Sequence, residues 1–362
     1  MKGVLVLFSL VFVLSAEAQK GKPQKLPLDK IQLPQGFAIE VFAEVPNARS
    51  LAQTEDGRII VGNRTGGSVS MVTEGKVQTL VDGLKVPNGV AVKGDKLFVA
   101  EVSRILEYVL PAKLDKPLQA MRELPVKFPS DPHHGWKFIR FAPDGTLVVP
   151  VGVNCNICDP GKDYARIFKV NIETGKKQEI AAGVRNTVGF DFHPETKELW
   201  FTDNGRDWLG DNFPPDELNR VTKEGQHFGF PFCHGKNIVD PEFGKGKKCS
   251  DYQAPEVELP AHVAALGMRF YTGQGFPEKY KNGIFIAEHG SWNRSTPQGY
   301  RIEFVQLQGS KVVGREVFAD GWLKGDSAWG RPVDIEVLKD GSLLVSDDKA
   351  GVIYKIYYKG EK

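Results

Sequence analysis

Beyond its N-terminal segment the chain has no apolar run approaching the ~20 residues that a membrane-spanning helix needs. Helical periodicity is scarce too, which counts against helix bundles and helix-covered parallel sheets. Charge of one sign is lacking: 47 Lys and Arg against 45 Asp and Glu leave +2 on 362 residues. The cations are scattered rather than striped, so nothing points to nucleic acid as a partner. Cysteine is sparse, with only Cys155, Cys158, Cys233 and Cys249. CNIC is followed by Asp159 rather than His, so the c-type haem attachment pattern fails. A DxDxDG run is missing, which excludes an EF-hand.

What is present begins with MKGVLVLFSLVFVLSAEAQ: a cation at Lys2, an apolar run, then Ala16-Glu17-Ala18. This reads as a secretory signal peptide cut after Ala18, giving a periplasmic or secreted protein. No Cys stands at the cut to take a lipid. In an oxidising compartment the four cysteines suggest two disulfides, for which three connectivities exist. Cys233–Cys249 would close a polar loop and Cys155–Cys158 would pin a tight turn. A zinc site is the alternative, although no nearby His has ligand spacing.

Residues 19–35 read as an extended lead-in, and 36–362 as a single domain. Within it one unit recurs: an alternating apolar strand, a turn with Asp-Gly or an equivalent, and a second apolar strand. It appears as SLAQTEDGRIIVGN (50–63), GVAVKGDKLFVAE (89–101) and FIRFAPDGTLVVPVG (138–152). It continues as VGFDFHPETKELWFTD (188–203), MRFYTGQGFPEKYKNGIFIAE (268–288) and VDIEVLKDGSLLVSDD (333–348). Repeats at ~40–50-residue spacing that cannot bury their faces alone mark a β-propeller. The expectation is an all-β, six-bladed propeller of four-stranded blades around a central channel. A β-sandwich is the alternative, and six hairpins of one internal order are not expected of a Greek key.

Polar stretches follow or precede these hairpins. PHHGWK puts His133 and His134 at a strand mouth, where an imidazole can serve as general base. The mouths also carry Arg185, Arg206, Arg269, Arg294 and Arg331. Guanidinium groups gathered at a channel suit bidentate carboxylates or phosphates. Asp203, Asp207, Asp211, Asp216 and Glu217 would balance some of them, and their oxygens could hold Ca²⁺. A plain solvated loop is the bland reading of the same segment.

GVRN, GFDFHPE, LWFTDNGRD and DELN, with HHGWKFIRFAPDGTLVVPVG and HFGFPF, resemble the soluble quinoprotein sugar dehydrogenases, and among them the sorbosone dehydrogenase-like branch. The resemblance spans roughly residues 30–358. It implies a six-bladed propeller holding pyrroloquinoline quinone (PQQ) and Ca²⁺, which oxidises an aldose or related sugar aldehyde and hands electrons to an external acceptor. It further implies that His134 is the base and that Arg185 and Asn186 sit on the quinone. Gly205 and Arg206 would offer backbone oxygens to Ca²⁺. Arg294 and Arg331 would engage the cofactor's carboxylates, with Arg269 standing in for a lysine found in other members. His133 occupies a position that is acidic in some members. Two other readings stay open: a Ca²⁺-dependent propeller hydrolase of the lactonase or esterase kind, and a binding propeller without catalysis.

Overall fold

The computed structural model describes residues 26–360, so the signal peptide and the first part of the lead-in lie outside the described residues. Six sheets of four or five strands succeed one another along the chain. Each begins with one of the hairpins expected above, and the turn between its strands is local. Gly57, for example, takes φ 90°, a left-handed conformation that the Asp56-Gly57 turn between Ala48–Gln53 and Ile59–Asn63 requires. The sixth blade is closed by the other end of the chain: Phe37–Glu44 pairs antiparallel with Val352–Tyr358, Phe37 opposite Tyr358. That pairing removes two open sheet edges at once.

The core lies between blades. Ile60, Met71 and Leu80 of blade one pack on Leu97 and Val99 of blade two, and Val148 and Ile167 of blade three pack on Phe190 and Phe201 of blade four. Both faces of the inner strands are therefore buried, which is why strands such as Ile59–Asn63 and Leu147–Val151 read as apolar runs. Where blades meet most closely there is no room for a side chain. A Cβ at Gly189 would stand 2.1 Å from the Leu266 carbonyl oxygen.

Two departures from the regular pattern matter. Gln226–His227 adds a fifth, parallel strand to the outer edge of blade three, beside Lys177–Ala182. Leu26, Leu28, Ile31 and Leu33 of the lead-in pack against the core shared by blades five and six. Both cysteine pairs are bridged, Cys155–Cys158 and Cys233–Cys249. Among the described residues no helix is long and apolar enough to cross a membrane.

Candidate active site

The first two strands of each blade run antiparallel. The residue before the first strand and the residue after the second therefore emerge at the same end of the channel. That end collects His134 and Trp136 ahead of blade three, Arg185 and Asn186 ahead of blade four, and Asn204 and Gly205 behind Leu199–Asp203. His289 follows Ile284–Glu288, and Arg331 precedes Pro332–Val337. Blade one contributes Arg64 by the same rule, and Arg49 from the second position of Ala48–Gln53. Together they line a cleft of about 620 Å³, a size suited to a small ligand or cofactor.

His134 is placed by an unusual backbone, φ 47°, a region that few non-glycine residues adopt. Its Cβ lies 2.7 Å from where a Cβ on Gly152 would stand, so only glycine fits there. Nδ1 is 2.9 Å from the Val153 carbonyl. A carbonyl can only accept, so Nδ1 carries the proton and Nε2 keeps its lone pair. Burial, together with the neighbouring Arg185 guanidinium and His133, pushes the His134 pKa down to about 2, and the ring stays neutral. His133 is exposed, its ring centroid 4.1 Å from that of His134.

Arg185 is buried and held by its neighbours: Nε donates to the Asn156 carbonyl at 2.9 Å, Nη2 to Asn156 Oδ1 at 2.8 Å and Nη1 to the Asn204 carbonyl at 3.1 Å. Its nearest carboxylate is Asp207, at 3.5 Å. Across the cleft Arg49 pairs with Asp348 at 2.9 Å, and Asp348 accepts from His289 Nε2 at 2.8 Å. Those donors hold the Asp348 carboxyl well below the usual range, while burial pushes His289 down to about 4. Arg331 donates only to carbonyls on this side, those of His289 and Gly290. Arg64 lies over the Trp136 ring at 3.9 Å. Among the described residues neither Arg64 nor Arg331 forms an ion pair with a carboxylate. Trp136 Nε1 and Asn293 Oδ1, both buried, also lack a partner there. The cleft thus presents cations without ion-paired carboxylates, which is what an anionic ligand needs.

Five expected residues meet in this cleft: His134, Arg185, Asn186, Gly205 and Arg331. Three do not reach it with their side chains. Arg206 is turned away and buried against Asp240 at 2.8 Å and Glu242 at 2.7 Å. Arg294 donates to the Asp211 and Thr296 carbonyls, tying two loops together. Arg269 sits lower in the channel, 3.0 Å from Glu336, because five positions along Ala265–Phe270 the strand has already left the mouth. Arg49, Arg64 and His289, with Asp348 behind it, were not among the expected residues. Applied to blade one, the rule of the residue before the first strand and after the second would have pointed to Arg64.

Two acids of the 203–219 loop, Asp203 and Asp216, serve the backbone rather than the arginines. Asp203 accepts the amides of Arg185 and Asn186 at 2.8 and 2.6 Å. Asp216 accepts those of Gly205 and Ala265 at 2.9 and 3.2 Å. Burial raises these carboxyls, Asp203 to about 7 and Asp216 to about 6. Among the described residues no cluster of three or more His, Cys, Asp or Glu side chains is arranged to hold a metal. A cation at this loop would rest on backbone oxygens. The Gly205 and Arg206 carbonyls accept no hydrogen bond from any described residue, which fits that use.

A six-bladed propeller with a cation-rich cleft over its channel mouth is the class that fold and site define. The chain belongs to the TrAA12-like family, which it matches over residues 31–359. It is 37% identical over 347 residues to an uncharacterized protein of Borreliella burgdorferi, covering 91% of each chain. A shorter match, 41% over 122 residues, joins it to a pyrroloquinoline quinone-dependent pyranose dehydrogenase of Coprinopsis cinerea, spanning 28% of this chain and 16% of that one. The holo PQQ domain of the pyranose dehydrogenase from Coprinopsis cinerea has the same fold: TM-score 0.77 at 17% identity, covering 90% of this chain and 97% of the domain. A calcium structure of the Trichoderma reesei AA12 enzyme aligns with TM-score 0.82 at 17% identity, covering 93% of this chain and 99% of that one.

Proposed function

We propose that the protein is an exported, PQQ-dependent oxidoreductase of an aldose or related sugar aldehyde, sorbosone-like in kind, that passes its electrons to an external acceptor. The observation that carries this reading is the pair Arg64 and Arg331, cations facing a cofactor-sized cleft that form no ion pair with a carboxylate among the described residues. A tricarboxylic quinone supplies the missing anions. The family assignment and the names of the Coprinopsis protein support the same cofactor. Two disulfides agree with an oxidising compartment.

In this reading Arg49, Arg64 and Arg331 would hold the carboxylates of PQQ, and Arg185 and Asn186 would contact its quinone. The carbonyls of Gly205 and Arg206 would hold Ca²⁺. When bound, the quinone supplies a two-electron acceptor and the cation a Lewis acid beside it. The chain's own part is orientation and proton movement. His134 Nε2 takes the proton of the substrate hydroxyl as the adjacent carbon gives up hydride, and its Nδ1–H stays on the Val153 carbonyl throughout. An aldose in its ring form leaves as the lactone. Trp136, Leu266 and Trp292 add apolar walls to the cleft.

Reconstitution tests the reading. The purified protein is loaded with PQQ and Ca²⁺ and given aldoses and sugar aldehydes with an artificial electron-acceptor dye. Dye reduction that depends on both PQQ and sugar is the expected result. A protein that binds no PQQ in equilibrium dialysis would end the proposal.

A further inference from the structure

We infer that Trp208 and Trp292 form an outer sugar subsite, so that the substrate is an oligosaccharide whose second ring rests on these indoles while its first occupies the cleft. This rests on the sugar-oxidoreductase reading and extends it.

The two are the most exposed large apolar side chains among the described residues, at 67% and 65%. They come from different blades, Trp208 from the loop behind Leu199–Asp203 and Trp292 from the loop behind Ile284–Glu288. Yet their rings meet edge to face, centroids 5.4 Å apart at 85°. Trp292 itself lines the cleft, so the pair is continuous with the space in front of His134.

The surrounding loops are fastened where the rings need it. Arg294 Nη1 donates to the Asp211 carbonyl, and Ser295 donates to the Asp211 carboxylate through both N and Oγ. His262 Nε2 donates to the Gly210 carbonyl at 2.9 Å. Trp208 is held at φ 71°, a strained conformation for a bulky residue. Two large rings kept in water, at a strained backbone and locked in register, fit a binding role better than a packing one.

The chemistry of the ligand follows from the surroundings. A pyranose has an apolar face of C–H groups and a rim of hydroxyls. An indole plane takes the first, and the polar side chains that line the cleft beside Trp292 can meet the second. A docking face for a protein needs about 800 Å² per partner, far more than two indoles offer.

The test needs no cofactor and no electron acceptor. Glucose, maltotriose and cellotriose are titrated separately into the apoprotein, followed by tryptophan fluorescence and calorimetry. At least one trisaccharide should bind about tenfold more tightly than glucose, the factor that roughly 60 Å² of buried apolar surface supplies. Trp208→Ala should abolish the difference and Trp208→Phe should keep part of it, with thermal unfolding showing both variants folded. Equal affinity for glucose and the trisaccharides, or a Trp208→Ala protein that keeps the preference, overturns the subsite. The two readings fail separately: trisaccharide binding without any dye reduction after PQQ loading sinks the oxidoreductase and leaves the subsite standing.

Discussion

Arginine occupies the channel at two levels, and the levels differ in their counter-ions. In the lower channel Arg140 and Arg269 meet Asp191, Asp334 and Glu336. Arg140 lies 3.4 Å from Asp191 and 3.3 Å from Glu336, and Arg269 lies 3.0 Å from Glu336 and 3.8 Å from Asp334. The same acids also accept backbone amides across blades, Asp334 from Leu51 at 2.8 Å and Asp191 from Phe270 at 3.0 Å. At the mouth Arg49 has Asp348, but Arg64 and Arg331 have carbonyls, a ring face and open cleft. One residue type thus does two jobs. A buried cation surrounded by its own chain's anions holds blades together, and one left without them is prepared for a ligand. The second arrangement lowers stability until the ligand arrives.

The largest effect expected of any single change falls at the mouth, on turnover alone. His134→Ala should retain PQQ and lose about 10²–10⁴-fold in kcat, the share of a general base. His133→Ala should lose much less, since the exposed ring has no fixed partner among the described residues other than its neighbour. If His133→Ala is the inactive variant, the assignment of the base moves by one residue.

Next comes the lower channel. Arg269→Ala leaves Asp334 buried without its ion pair and Glu336 with Arg140 alone, and urea unfolding should show a loss of about 3–5 kcal/mol. Its PQQ affinity in the folded protein should be unchanged. A marked loss of PQQ affinity with normal stability would place Arg269 in the site after all.

Arg64→Ala should do the reverse, and more mildly. PQQ affinity, read from titration of the apoprotein, should weaken by the worth of one charge-assisted bond, about 1.5–3 kcal/mol. Stability of the apoprotein should hold or rise, because the burial that depresses its pKa, with Arg49 and Arg331 nearby, opposes the charged form. Were Arg64→Ala to unfold as readily as Arg269→Ala, the contrast between the two levels would collapse.

The smallest effect is one of pH. His289, against Asp348 with Arg49 and Arg331 close by, has its folded pKa pushed down to about 4 by burial. The unfolded chain takes up that proton near the ordinary value of about 6.5. Stability from the neutral ring is therefore complete above about pH 6.5 and is lost as pH falls toward 4. His289→Gln should cost stability at pH 7.5, and that cost should shrink by at most roughly 2 kcal/mol at pH 5. A cost that grows on acidification would mean that the folded pKa lies above 6.5.

The hairpins were legible because their signals are local. Alternation in VGFDF and ELWFTD, and an Asp-Gly turn in the first, third and sixth units, are each settled within a dozen residues. His134, Arg185, Asn186, Gly205 and Arg331 were legible for a related reason, since each adjoins a hairpin whose end is known. The function of the acids was not. Asp203 and Asp216 look from the sequence like counter-ions or cation ligands, but each spends both oxygens on backbone amides. Which amides need an acceptor depends on how strands from successive blades cross, and no local pattern records that.

By itself, then, the sequence determined the strands, the number of blades and the end of the channel where chemistry gathers, because periodicity and turn residues act over a few positions. Only the tertiary structure decided which arginine is balanced and which is free. Arg49 and Asp348 lie 299 residues apart and meet because Phe37–Glu44 closes the ring on blade six. Arg269 and Arg331 both sit on or next to a first strand, one within the channel and one at its mouth. The difference of a few residues of rise along a strand sets whether a guanidinium finds the chain's own carboxylates or an empty cleft.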